Sequence, residues 1–404
     1  MTKTDISAAD IDTANTDRAA DINRAAATTV DPGLSTGEFP DYMLKEIYEQ
    51  PRVLQDILTG RYDAARQRLV FDEITLTADE IRSLRHICII ACGTSFHAGL
   101  IAKDFVERLT DLTVDVQIAS EFLFNQRKHR ENAMVIAISQ SGMTSDTLDA
   151  VQMARANGAY VVAITNVMDS TITTLANASL YIQADIEIAV PATKSYTAQL
   201  AILTLLALYL GQERGTQRPT EVALFYAELL DSVDKIVRIL ASQSLAKIEQ
   251  AAAACAQAEN ILLLGRGTGT ATCKEAALKV KETSYRHAEA FSVLEFVHGP
   301  IALIDPGVAT PVVALLPADS LDDATRDVLF KAKAYGAKLI VFTEESEQRL
   351  VGQVDYQIFL PKATPIQMPF VAIVALQLFA RHIACILGCD IDNPRYLSKV
   401  VVSH

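Results

Sequence analysis

The sequence is short of positive charge: 36 Lys and Arg stand against 49 Asp and Glu over 404 residues, a formal net charge of −13. A surface of that sign repels polyanions, which argues against nucleic acid or an anionic membrane as the main partner. Any bound phosphate then requires a local site of backbone N–H groups, hydroxyls and a few lysines. Paired cysteine spacing is missing too. Cys88, Cys92, Cys255, Cys273, Cys385 and Cys389 form no C-x-x-C pair and fall in apolar stretches. That argues against disulfides or zinc and predicts buried thiols in a reducing cytoplasm, with no metal site. No apolar run is expected to reach the about 18 residues of a membrane span. Residues 1–37 are rich in Ala, Thr and Asp and lack an apolar core. They read as a disordered acidic tail, bounded at 1–38, and not as a secretory signal.

What is present is periodicity. Half of the residues are hydrophobic, and the length suits two or three domains. Tyr42, Met43, Ile47, Tyr48, Val53, Leu54, Ile57 and Leu58 recur at helical spacing, predicting a helix over 40–61. Apolar strands are then expected at 87–92, 114–118, 133–138, 160–165 and 179–183, with helices at 96–109 and 196–210. After a polar break at 212–219 come two amphipathic helices, 221–240 and 243–257. The pattern then restarts: 260–265 runs into a Gly turn as 87–93 does, 311–316 matches 133–138, and 338–343 matches 160–165. Ala133 and Pro311 are 178 residues apart, as are Tyr160 and Lys338, and Gly93 and Gly265 are 172 apart. Such near-constant offsets imply a duplicated unit. The expected fold is α/β: a helical segment at 39–80, one unit at 81–215, a helical connector at 216–258, a second unit at 259–390 and a tail at 391–404. Strands this continuously apolar imply parallel sheets covered on both faces, a three-layer, doubly wound arrangement.

Three stretches carry candidate chemistry. Ser139-Gln140-Ser141-Gly142-Met143-Thr144 lies between a strand and a helix, where N–H groups and the helix dipole favour a dianion. The same residues also suit plain helix capping. Lys279 and Glu282 share a helical face, followed by His287, Glu289 and His298-Gly299-Pro300. A Glu to shuttle a proton, a Lys to polarise an oxygen and a His to open a ring suit proton transfer on a sugar carbonyl. The spacing equally fits a solvated i, i+3 ion pair and a turn histidine. Lys399, in a tail with a Pro turn, suits Schiff-base formation if burial lowers its pKa, or an exposed terminal lysine.

These motifs, in this order, resemble the sugar isomerase (SIS) family of phosphosugar-binding domains. The resemblance extends to the isomerase half of the glutamine–fructose-6-phosphate aminotransferases and to the SIS-type glucosamine-6-phosphate deaminases. It rests on Lys45-Glu-Ile-Tyr-Glu-Gln-Pro51, Cys92-Gly-Thr-Ser95, Ser139–Gly142 with Thr144, Thr193-Lys194, Leu278–Tyr285, His287-Ala-Glu289, His298–Pro300 and Asp392-Asn-Pro-Arg395 with Lys399. It implies two tandem SIS domains, a phosphate held by Ser139, Gln140, Ser141 and Thr144, and a sugar lined by Thr94, Ser95, Val190 and Thr193. It further implies proton transfer by Glu282 with Lys279, ring opening by His298 from the neighbouring subunit of a homodimer, and a Schiff base on Lys399, with no cofactor.

Two departures refine the expectation. The aminotransferases begin with a glutaminase domain carrying an N-terminal cysteine, whereas this chain starts Met1-Thr2-Lys3, so glutamine hydrolysis is not expected of it. Ala192 stands where a Ser usually precedes Thr-Lys. The expected activity is a hexosamine-6-phosphate deaminase/isomerase, with ammonia as nitrogen partner. The alternatives are an aminotransferase-like synthase using ammonia or a separate glutaminase, a deglycase acting on a phosphorylated sugar–amine adduct, and a sugar-phosphate sensor without turnover.

Overall fold

Strands buried along their whole length set the architecture: every residue of His86–Ala91, Ala133–Ile138 and Pro311–Leu315 is inaccessible or nearly so. The computed structural model describes residues 35–125 and 132–400. Apart from its last four residues, the expected acidic tail lies outside them. Helix α1 (Tyr42–Leu58) comes first, then a short hairpin, β1 (Tyr62–Asp63) and β2 (Arg68–Leu69), and α2 (Ala78–Ser83). The first domain continues with β3 (His86–Ala91), α3 (Gly93–Leu109), β4 (Thr113–Ile118), α4 (Ala119–Asn125) and β5 (Ala133–Ile138). It closes with α5 (Ser145–Ala156), β6 (Tyr160–Thr165), α6 (Thr171–Leu175), β7 (Ala178–Tyr181) and α7 (Lys194–Arg214). Helices α8 (Pro219–Leu240) and α9 (Ser244–Cys255) lead to β8 (Asn260–Gly265), α10 (Thr268–Ser284) and β9 (His287–Ser292). The chain ends with β10 (Pro311–Leu315), α11 (Asp323–Ala334), β11 (Lys338–Glu344), β12 (Tyr356–Leu360) and α12 (Met368–Leu387).

The two five-stranded sheets have one topology. The first runs β4-β3-β5-β6-β7 and the second β9-β8-β10-β11-β12, all parallel. In each, the chain leaves the first strand for one side and returns on the other. The crevice between β3 and β5, and its counterpart between β8 and β10, is where open parallel sheets bind ligands. The fold is the expected α/β pair of parallel sheets flanked by helices.

Helices α3 and α10, each following the first strand of its sheet, pack against one another, while α10 also packs on α12 and α3 on α7. One apolar core therefore runs through both sheets' inner faces, from Ile89 and Ile136 to Leu263 and Val313.

Several local expectations change. The Gly93-Thr94-Ser95 turn is the first turn of α3, entered through Gly93 at φ +52, a left-handed angle that glycine tolerates. Helix α7 likewise begins at Lys194 and runs to Arg214, into the presumed polar break, and stops at Gly215 with φ +76. Strand β9 was not anticipated: its edge position leaves His287, Glu289 and Ser292 exposed and removes the apolar run. Strand β12 and helix α12 also went unread. Helix α12 is long and apolar enough to cross a membrane, contrary to expectation, but 78% of its most apolar window is buried in protein. Its apolarity is that of a helix packed on all sides. All six thiols are free; Cys88, Cys255 and Cys273 are buried, but Cys385 is exposed because the last turn of α12 emerges into solvent.

Candidate active site

Ala91 and Ile138 are register partners in adjacent strands. The Gly93-Thr94 turn and Ser139 therefore leave the sheet at the same level, on either side of the crevice. In the second loop the Ser139 and Thr144 hydroxyls lie 3.0 Å apart, the Gly142 N–H donates to Ser139 Oγ at 3.1 Å and the Met143 N–H to Ser141 Oγ at 3.2 Å. Thr144 is the N-cap of α5, yet its side chain makes no capping bond. The simple capping alternative accordingly fails for this residue, whose hydroxyl turns toward Ser139. The Gln140 carbonyl accepts from the Asn166 N–H at 2.9 Å, tying the loop to the end of β6.

Gly142 permits this shape: it has φ +65, and a Cβ there would stand 2.2 Å from Ser170 Oγ. Substitution Gly142→Ala must then shift the loop against an unfavourable backbone angle, a cost of about 1–3 kcal/mol. Expected is at least a tenfold loss of inorganic phosphate or sugar-phosphate affinity by calorimetry, with a lowered melting temperature. Unchanged affinity would separate this loop from phosphate binding.

Across the crevice, α10 presents Glu275, Lys279 and Glu282 on one face at i, i+4 and i+7. Lys279 is completely buried, and its Nζ lies 3.3 Å from Glu275 and 2.5 Å from Glu282. It also donates to Thr94 Oγ1 at 3.1 Å, while that hydroxyl donates to Glu275 Oε1 at 3.1 Å. His97 Nδ1 lies 2.7 Å from the other Glu275 oxygen. The solvated-pair alternative is excluded for Lys279 by this burial. Burial opposes the Lys279 charge, but Glu275 and then Glu282 hold the ammonium on, above its usual range. For Glu282 desolvation pushes the carboxyl up; Lys279 opposes it, Glu275 adds to it, and Lys399 pulls it slightly down. Glu275 escaped the sequence reading, although its i, i+4 spacing from Lys279 was there to see.

The C-terminal tail reaches the same place. Asp392 accepts the Tyr42 and Met43 N–H groups at 2.9 Å each, capping α1, and its carbonyl accepts the Val190 N–H at 2.9 Å. Lys399 is thereby carried to Glu187 Oε2 and the Ala189 carbonyl, both at 2.6 Å. Glu187 also accepts from the Thr193 N–H at 2.9 Å, the Ser195 N–H at 3.0 Å and Ser195 Oγ at 2.6 Å. Its burial is overcome chiefly by Lys399, then Ser195, and its pKa falls to about 2. Lys194 is almost fully buried and pairs with Glu49 at 2.7 Å.

The remaining expected residues are placed as follows. Ser95 is buried in the first turn of α3. Thr193 is fully buried, and its hydroxyl has no partner among the described residues. Val190 spends its N–H on Asp392. His298 is exposed at the end of a 3₁₀ turn, Glu295–His298, followed by Gly299 at φ +149. Among the described residues it makes no bond to Lys279, Glu282 or Lys399. His287 and Glu289 point outward from edge strand β9.

The SIS domain family matches residues 80–209 and 255–387, the two sheets with their helices. The chain belongs to the SIS family. It is 40% identical over 365 residues to the glutamine–fructose-6-phosphate aminotransferase (isomerizing) of Symbiobacterium thermophilum, covering 90% of this chain and 59% of that protein. The Mycolicibacterium smegmatis enzyme of the same name is also 40% identical, over 369 residues. The chain thus spans about three fifths of the length of the curated relatives it matches. Among solved structures, the C-terminal domain of the Francisella tularensis glucosamine–fructose-6-phosphate aminotransferase aligns with TM-score 0.83 and 31% identity, covering 89% of this chain and 99% of that one. The Thermotoga maritima glucosamine-6-phosphate deaminase, at 21% identity and TM-score 0.68, shares the SIS fold.

Proposed function

We propose that this SIS chain interconverts a hexosamine 6-phosphate with a ketohexose 6-phosphate and ammonia. The observation that carries the reading is the buried Lys279, held by Glu275, Glu282 and Thr94 beside a loop of three hydroxyls. The loop anchors the phosphate. His298 of a second copy opens the ring by giving a proton to the ring oxygen. Glu282 takes the C2 proton of the open-chain aldehyde and returns it to C1, with Lys279 and Thr94 stabilising the charge on the C1 oxygen. The product imine at C2 exchanges its nitrogen with the Lys399 amine and releases ammonia. Water then cleaves the Lys399 imine to give the ketose phosphate. The reverse sequence is amination. Scarce free ammonia favours deamination in a cytoplasmic setting.

Purified protein incubated with glucosamine 6-phosphate is expected to yield equal amounts of ammonia and fructose 6-phosphate. Absence of product from this and from galactosamine 6-phosphate overturns the reading. The 40% identity to isomerizing aminotransferases supports a second reading, synthesis of glucosamine 6-phosphate from fructose 6-phosphate. Product from fructose 6-phosphate with ammonium, or with glutamine, at a rate exceeding deamination selects it.

A further inference from the structure

Glu46 plays no part in the proposed chemistry, yet it is buried directly behind it. It lies in the middle of α1 at 2% exposure. Its Oε1 accepts the N–H groups of Ile188 at 2.5 Å and Ala189 at 3.3 Å, the two residues that follow Glu187. Its Oε2 is buried with no partner among the described residues. The same short turn, Glu187 to Ala189, supplies both acceptors of Lys399. One carboxyl therefore holds from behind the turn that holds the lysine in front, and its second oxygen is left unsatisfied.

Charge arithmetic makes this arrangement informative. Among the described residues the charged groups that act most on Glu46 are Glu187, Lys399 and Lys194, and Lys194 is already paired with Glu49. That leaves one ammonium for two buried carboxyls. Two buried carboxyls that share a site cannot both ionise cheaply, so one keeps its proton. Glu187 has four donors and Glu46 two, so Glu46 is the one that stays neutral. Burial first, then Glu187, pushes it to about 8.

We propose that Glu46 is a positioning residue that keeps a second negative charge off the turn holding Lys399, so that the amine can shed its proton and react. The inference rests on Lys399 being the carbonyl-reactive amine. While Glu46 is neutral, Lys399 answers chiefly to Glu187, its hydrogen-bonded partner, and more weakly to Glu282, which is itself paired with Lys279. When Glu46 ionises, a second carboxylate acts on the ammonium and lowers its tendency to deprotonate. A neighbouring opposite charge shifts an amine by about one unit or more, a tenfold effect on the reactive fraction.

The test is the rate at which Lys399 is acetylated by a short pulse of an activated ester, read by peptide mass spectrometry from pH 6 to 10. It needs no substrate. In the wild type the rate is expected to climb up to about pH 8 and then flatten. Glu46→Gln keeps an acceptor for the Ile188 and Ala189 amides but cannot ionise. Its Lys399 rate is expected to match the wild type at pH 7 and to exceed it about tenfold at pH 9. Superimposable profiles overturn the proposal, and so does a wild-type rate that rises tenfold per pH unit through pH 9, which decides the matter if the variant does not fold. Borohydride trapping of fructose 6-phosphate on Lys399 is measured alongside. No trapping in either protein refutes the imine reading, whereas trapping with identical pH profiles refutes only the role of Glu46.

Discussion

Glu282→Gln is expected to lower kcat for the interconversion by about 10²- to 10⁴-fold while leaving KM for the sugar phosphate within a few-fold. Glutamine preserves the side chain's volume and its place beside Lys279 but cannot accept and return a proton. The phosphate is held across the crevice by the Ser139–Thr144 loop, so binding survives. The pH profile supplies a second check. Desolvation raises the Glu282 carboxyl above the usual glutamate range, with Lys279 opposing. The base form is required to take the C2 proton, so the acidic limb of kcat should fall at a higher pH than a free glutamate would produce. Stopped assays of ammonia and ketose phosphate at saturating substrate measure both effects. Full activity in the variant removes Glu282 from proton transfer.

Much of the frame was readable because duplication is a property of the linear chain. Apolar strands recurring at near-constant offsets, 172 residues for the first pair and 178 for the two later ones, signal two copies whatever the details of packing. The hydroxyl loop and the Lys279–Glu282 spacing were readable for the same reason: each is local. What escaped is what the fold brings together from afar. Glu46 and the Ile188 amide it accepts are 142 residues apart, and Lys399 and Glu187 are 212 apart. No pattern within a window reports such a pairing. Glu187 looks like any polar residue between a strand and a helix until Lys399, Ser195 and Thr193 converge on it. Strand β9 failed for a different reason: an edge strand buries little, and its His-Ala-Glu-Ala-Phe-Ser sequence alternates too weakly to stand out. Helix α12 shows the converse, since burial on every side removes the amphipathic stripe by which a surface helix is recognised.

Lys279→Met is expected to be the most destabilising single change in the candidate site, by about 3–5 kcal/mol at neutral pH. Methionine fills most of the lysine's volume, so the loss is electrostatic. Glu275 and Glu282 remain on the same face of α10, the first fully and the second partly buried, with no ammonium between them and Thr94 short of a donor. Without that cation the Glu282 carboxyl rises further, and the folded state binds a proton that the unfolded chain has released. The stability of the variant must therefore fall as pH rises through the range between the unfolded glutamate pKa and the raised folded value of Glu282, and recover toward acid. Chemical denaturation at pH 5 and pH 8 measures the difference; a deficit that is equal at both, or absent, contradicts the buried-cation account. Combining Lys279→Met with Glu275→Gln and Glu282→Gln removes the uncompensated charges. That triple variant is expected to regain most of the stability at pH 8 while remaining inactive, because replacing a whole buried ionic set costs far less than breaking it. Recovery of folding without recovery of turnover would show that this cluster is kept for proton transfer on the sugar and not for holding α3 and α10 together.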